Sequence, residues 1–241
     1  MAVPPSLPKL KRTAWCAGAL TAGLERVDVP AADKFRTGEV AFTLAYYGDI
    51  NNRIMLEAEP HRKDFMRDLD GQRYEPDGSY DQDMATLVAR PTERNTREEY
   101  RSLLDQYTDR QYWDELARIM SPIAFGSGLS ERGAKKLLPD LAAYLTSRVV
   151  GSEIRDRLQR PLKQALLDGD EVCLVSHSMG CIVSYDVLWK FSRMSEYREV
   201  RDHKVSLWLT LGSPLGDAWV QDNLYDSDEP EDGKYPNNIG R

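Results

Sequence analysis

The run Asp170-Glu171-Val172-Cys173-Leu174-Val175-Ser176-His177-Ser178-Met179-Gly180 leads directly into Cys181-Ile182-Val183-Ser184-Tyr185-Asp186-Val187-Leu188. The first part is apolar and β-prone. It stops at Ser178, which has small residues two before it and two after. An amphipathic helix pattern then begins at once. The stretch therefore predicts a strand, a sharp turn and a helix, with a hydroxyl at the turn.

The spacing has a steric meaning. A hydroxyl that projects from such a turn sits in a strained backbone conformation. The strand before it and the helix after it pass close together. Ser176 and Gly180 are the positions expected in that gap, where only small side chains fit. The turn also puts the Met179 backbone N–H at a helix N-terminus, where free donors and a partial positive charge favour an anion. That is half of an oxyanion hole.

Bulk composition restricts the function classes. The 241 residues suffice for one large α/β domain or two small ones. Net charge is −7, from 32 basic and 39 acidic residues, so nothing favours a nucleic acid or an anionic membrane as partner. Cys16, Cys173 and Cys181 cannot all pair, and the latter two read as small core hydrophobes. No disulfide framework is implied, which fits a reducing, cytoplasmic setting. Three His and three Cys lie scattered without metal-ligand spacing, and no phosphate-binding loop is present. No cofactor is expected. Residues 13–24 follow a few basic residues and could pass for a weak signal peptide. An amphipathic helix over 9–26, with Trp15, Leu20 and Leu24 inward, is the preferred reading. No run is long enough to span a membrane.

The rest of the chain alternates helix and strand. Pro30 to Gly38 reads as a connector, and 39–47 as a strand apolar on both faces, ended by Gly48-Asp49. Residues 51–96 are polar, with Pro60, Pro76 and Pro91, and read as a loop-rich insertion holding a short helix near 53–69. It serves either as a substrate wall or as a surface loop. Helical patterns follow at 97–120, at 131–149 with a late start or kink at Pro139, and at 153–167 after a break at Gly151-Ser152. After the 179–194 helix, Lys204 to Leu211 reads as a third strand, ended by Gly212-Ser213-Pro214. Residues 222–241 read as an acidic flexible tail. The pattern predicts one domain, 1–241, with a parallel sheet between helical layers.

Val175-Ser176-His177-Ser178-Met179-Gly180, Val183 to Leu188, and Thr210-Leu211-Gly212-Ser213-Pro214-Leu215 together resemble the serine α/β hydrolases of the esterase and lipase type. Ala45-Tyr46-Tyr47-Gly48-Asp49 is similar to a strand in one bacterial branch. Most members write the turn, the nucleophile elbow, as Gly-x-Ser-x-Gly, and here Ser176 stands at the first Gly. The resemblance implies a three-layer α/β-hydrolase-like fold and an acyl-enzyme on Ser178 with an ester or acyl substrate. It also implies the Met179 N–H as oxyanion donor and a His–acid pair as base. Ser176, His177 and Gly180 would be structural parts of the elbow.

The departures are as informative. Only His203 follows Ser178, and it precedes the third strand, at the end away from the elbow. His177 is expected to point away from the nucleophile, and His61 lies in the insertion. Asp217 stands where some members of the family carry the acid, but a merely solvated side chain is the preferred reading. Asp186 is expected to face away from the site. The family's oxyanion-loop strand at the front and its acid and His segments at the end are missing. The expectation is thus an incomplete fold: a part of a longer product or a mis-started, truncated reading frame, or else a shortened protein whose 39–47 and 171–176 strands pair directly. Very weak turnover by this chain alone is expected. Acyl transfer or thioester hydrolysis on the same nucleophile, and a non-catalytic hydrolase-like binding module, are the alternatives.

Overall fold

The computed structural model describes residues 7–58 and 139–240. These fall into two compact units, 7–44 and 45–58 with 139–240, where the sequence reads as one domain. The helical pattern at 97–120, most of the 51–96 insertion, His61 and residues 131–138 lie outside the described residues.

The first unit holds α1 (Leu7–Val27) and α2 (Val29–Thr37). The segment read as a connector is thus a helix. Asp28 caps it by accepting the Ala31 N–H at 3.1 Å, and Pro30 sits in its first turn, where no donor is needed. Gly38 closes it in the left-handed conformation, φ 77°. In α1, Trp15 and Leu24 are half-buried, whereas Leu20, expected inward, is exposed.

Residues 39–47, read as a strand, carry no regular secondary structure. The reason is physical: β-propensity cannot make a strand without a ladder partner, and among the described residues no strand lies beside this segment. Its end is nevertheless anchored, because Ala45 and Tyr47 pack against the core of the second unit.

The second unit contains α3 (Gly48–Ala58), α4 (Pro139–Thr146), α5 (Arg148–Asp168), β1 (Cys173–His177), α6 (Met179–Arg193), β2 (Leu207–Leu211) and the short α7 (Ala218–Gln221). Pro139 opens α4, as a proline at a helix start should. α5 starts at Ser147, whose side chain accepts the Val150 N–H, and runs straight through Gly151-Ser152. Gly151 is therefore no helix break. A Cβ there would lie 2.8 Å from the Tyr144 carbonyl oxygen and 2.9 Å from Arg155 Nη1, so glycine permits α4 and α5 to approach.

α6 is the centre of the unit. Eleven of its residues are buried, from Met179 to Ser192. A helix apolar nearly all round belongs inside a core. Ile182, Val183, Val187, Leu188 and Phe191 pack with Ile154, Leu158, Leu162 and Leu166 of α5, Leu141 and Tyr144 of α4, and Ile50 and Ile54 of α3. Exposed pairs Arg53–Glu153 (2.6 Å) and Arg157–Asp49 (2.7 Å) tie α3 to α5.

β1 and β2 pair in parallel, Cys173 opposite Leu207 and His177 opposite Leu211. Leu174 and Trp208 pack against the core and Ser176 is buried, while Cys173, Val175, Leu207, Leu209 and Leu211 are exposed. Cys173 is thus an exposed thiol and not the core hydrophobe expected; Cys181 is buried as expected.

Residues 222–240, read as a flexible acidic tail, are held against α6. Tyr185 donates to Asp226 Oδ2 at 2.5 Å, and Trp189 Nε1 to the Gly233 carbonyl at 3.0 Å. Ser192 bonds Asn238, whose amide donates to the carbonyls of Val200, Arg201 and His203. Val205 and Ile239 form a parallel bridge beyond β2. Most charges of this segment face water, but Asp226 is buried, and its carboxylate together with the Gly233 carbonyl satisfies donors of α6. No helix among the described residues is long and apolar enough to cross a membrane.

Candidate functional site

Ser178 joins β1 to α6 with φ 50° and ψ −124°. Among the described residues, it and Tyr235 are the non-glycine residues at positive φ. For an L-residue this conformation costs about 1–3 kcal/mol and persists only where the surroundings over-determine it. Its N–H donates to the Leu211 carbonyl of β2 at 2.9 Å, and its carbonyl accepts the Cys181 N–H at 2.9 Å. Ser178 stands at the N-cap of α6, yet its side chain makes no capping bond there. The residue is half-buried, and its hydroxyl is not consumed by the helix end it precedes.

The turn sits at the carboxyl end of the parallel strand pair, where open parallel sheets bind ligands. β2 ends beside it. Gly212 (φ 54°) turns the chain there, and a Cβ on it would lie 3.7 Å from His177 Nε2. The His177 ring therefore rests over the β2 exit. Met179 is buried, and as the first residue of α6 its N–H has no acceptor within the helix.

Ser176 is buried, and its hydroxyl lies 2.7 Å from that of Ser184 on α6. Trp208 Nε1 donates to the same oxygen at 3.0 Å. Gly180 is not pressed against the strand, as the spacing argument supposed. The nearest atom to a Cβ there is the Tyr47 hydroxyl, at 3.5 Å, an ordinary contact. Burial pushes the Tyr47 phenol up to about 12, aided by the negative charge of Asp140. Burial also raises the Asp140 carboxyl, which accepts from Asn51 Nδ2 at 3.3 Å. The Cys181 thiol is raised by burial as well and donates to the Ser176 carbonyl at 3.4 Å.

The remaining sequence candidates fall elsewhere. Asp217 is buried and caps α7, its Oδ1 accepting the Val220 N–H at 3.1 Å. His203 is exposed and precedes β2, at the end of the sheet where Cys173 faces Leu207. Asp186 is buried on α6 with Arg155, Tyr144 and Tyr225. Tyr47, Asp140, Ser184 and Trp208 were not picked out by sequence reasoning. Ser184 carried a signal, a hydroxyl within an otherwise apolar helix face; the other three are brought in by tertiary contacts. Among the described residues, no group of His, Cys, Asp and Glu is arranged to hold a metal ion.

No protein-family model, curated protein or solved structure matches the chain. What the site can do chemically rests on its own geometry: the hydroxyl of a strained, half-buried serine beside the free donors of a helix N-terminus.

Proposed function

We propose that the second unit belongs to a serine hydrolase of α/β-hydrolase type that acts on carboxylic esters through an acyl-enzyme on Ser178. The observation that carries this reading is the Ser178 backbone, φ 50° and ψ −124°, between a parallel strand and a buried helix. Strain of this kind at a hydroxyl is a feature of functional turns. In the reaction, Ser178 Oγ forms a bond to the substrate carbonyl carbon. The negative charge on the carbonyl oxygen lies against the Met179 N–H. The alcohol leaves with the proton given up by the serine, and water then cleaves the acyl-enzyme. Transfer of the acyl group to another acceptor, or attack on a thioester, uses the same first step.

A fluorophosphonate probe tests this reading. Covalent labelling is expected on Ser178 and is expected to vanish in Ser178→Ala. Labelling that survives that substitution removes Ser178 as nucleophile.

The second reading is a non-catalytic module of the same architecture. It is favoured by the place of His203, at the sheet end opposite Ser178. It predicts no labelling of correctly folded protein.

A further inference from the structure

We infer that Ser184 and Trp208 are positioning residues of the Ser178 turn, acting through Ser176. The strained turn needs fixed walls on three sides: the strand before it, the helix after it and the neighbouring strand. One buried oxygen, Ser176 Oγ, is bonded to two of them. It lies 2.7 Å from Ser184 Oγ, eight residues on and across the turn. It accepts the Trp208 indole N–H from β2 at 3.0 Å, since indole nitrogen is a donor only. Both serines are more than nine-tenths buried. The Ser176 carbonyl is engaged too, by the Cys181 thiol at 3.4 Å. The Ser178 N–H to Leu211 bond, 2.9 Å, then fixes the turn itself to β2.

This gives the serine at 176 a use that glycine could not have. Glycine there would leave the buried Ser184 hydroxyl and the part-buried Trp208 N–H without this partner, and each lost bond is felt there. Removing the Ser184 hydroxyl leaves the β1–β2 ladder at Ser176–Thr210 intact and frees only the helix side of the turn. The effect is therefore local to Ser178, which separates positioning from general stability.

The test is residue-resolved amide exchange on the full chain, with Ser184→Ala, Ser184→Thr and Ser176→Ala. In Ser184→Ala the Ser178 amide is expected to exchange on the order of tenfold faster, with the α5 core amides unchanged. Ser184→Thr, which keeps the hydroxyl, restores protection. The Trp208 indole N–H resonance moves in Ser176→Ala. Unchanged Ser178 protection in Ser184→Ala, or an acceleration shared by all core amides, overturns the inference. A last arm rests on the hydrolase reading: fluorophosphonate labelling of Ser184→Ala is expected to have a lower limiting rate at unchanged half-saturation. If the exchange arms come out as expected while wild-type Ser178 is never labelled, the hydrolase reading fails and the brace stands.

Discussion

Two polar clusters share one helix and use it in opposite ways. At the first turn of α6, Ser178 is strained, half-exposed and free of any capping bond. Two turns further on, Asp186 is 1% exposed and fully engaged. Its Oδ2 accepts the Tyr144 hydroxyl at 2.6 Å and faces Arg155 at 3.6 Å, and its Oδ1 accepts the Tyr225 N–H at 3.2 Å. Arg155 in turn lies over the rings of Tyr144 and Tyr225 and donates to the Tyr225 hydroxyl at 3.2 Å. A buried carboxylate is tolerated where hydrogen bonds and an opposite charge surround it. Ser178, by contrast, keeps its side chain out of any capping bond. The Asp186 cluster holds α4, α5 and the 222–240 segment to α6, the helix that Ser178 opens.

The largest effect is expected where that support is removed. Asp186→Ala leaves Arg155 buried without its anion and strips an acceptor from Tyr144 and Tyr225. The expected loss is about 3–5 kcal/mol, read from urea unfolding. Asp186→Asn keeps a carbonyl acceptor and is expected to lose clearly less. Equal losses in the two variants would mean that the ion pair, and not the hydrogen bonding, carries the cluster.

The same carboxyl gives a pH test. Burial pushes Asp186 up from 3.8 to about 6, against the pull of Tyr144, the Tyr225 N–H and Arg155. Between those two values the folded chain binds more protons than the unfolded one. The stability contributed by this group is therefore fully present below the unfolded value and lost as pH rises through about 6. The urea midpoint of wild type, relative to Asp186→Asn, is expected to fall as pH is raised from about 4 to about 7. A difference that rises over that interval would show that Arg155 holds the carboxylate more strongly than burial opposes it.

A smaller effect is expected at the strained end. Gly180→Ala meets only the Tyr47 hydroxyl at 3.5 Å, and alanine is the better helix former by about 1 kcal/mol. A neutral to slightly raised melting temperature is expected, with Ser178 labelling kept. A marked loss would mean that the elbow tolerates no Cβ there, as the spacing argument alone supposed.

The contrast between the two clusters follows the contrast between local and tertiary signals in the sequence. β1, α6 and β2 were legible because apolar periodicity and a glycine-bounded run are local signals. The strand-turn-helix junction at Ser178 was legible for the same reason. The 39–47 segment has equally good strand residues, but a strand is a pairing, and its partner is not encoded in its own sequence. Gly151 looked like a break because its role, the approach of the Tyr144 carbonyl, is a contact between helices. The acidic 222–240 segment looked solvated because all of its acidic residues but Asp226 are exposed. Its anchoring is made by backbone groups and by Asp226 and Asn238, meeting side chains some 40 residues away in the chain. Trp208, 32 residues from Ser176, was hidden in the same way.

Asp217 is where the two kinds of polar residue are told apart most finely. By its place after β2 it is a candidate acid of the site. By its contacts it is a helix cap, accepting the Val220 N–H at 3.1 Å and buried. Asn caps a helix about as well as Asp, but it has no charge with which to orient and stabilise a protonated base. Asp217→Asn is therefore expected to change stability by no more than a few tenths of a kcal/mol. As a cap alone, it is expected to leave the rate of Ser178 labelling unchanged. Asp217→Ala, which removes the cap as well, is expected to cost about 1 kcal/mol. A large fall in labelling rate for Asp217→Asn at preserved stability would place Asp217 with Ser178 among the residues that serve the reaction. The capping bond would then be what holds its carboxylate in position.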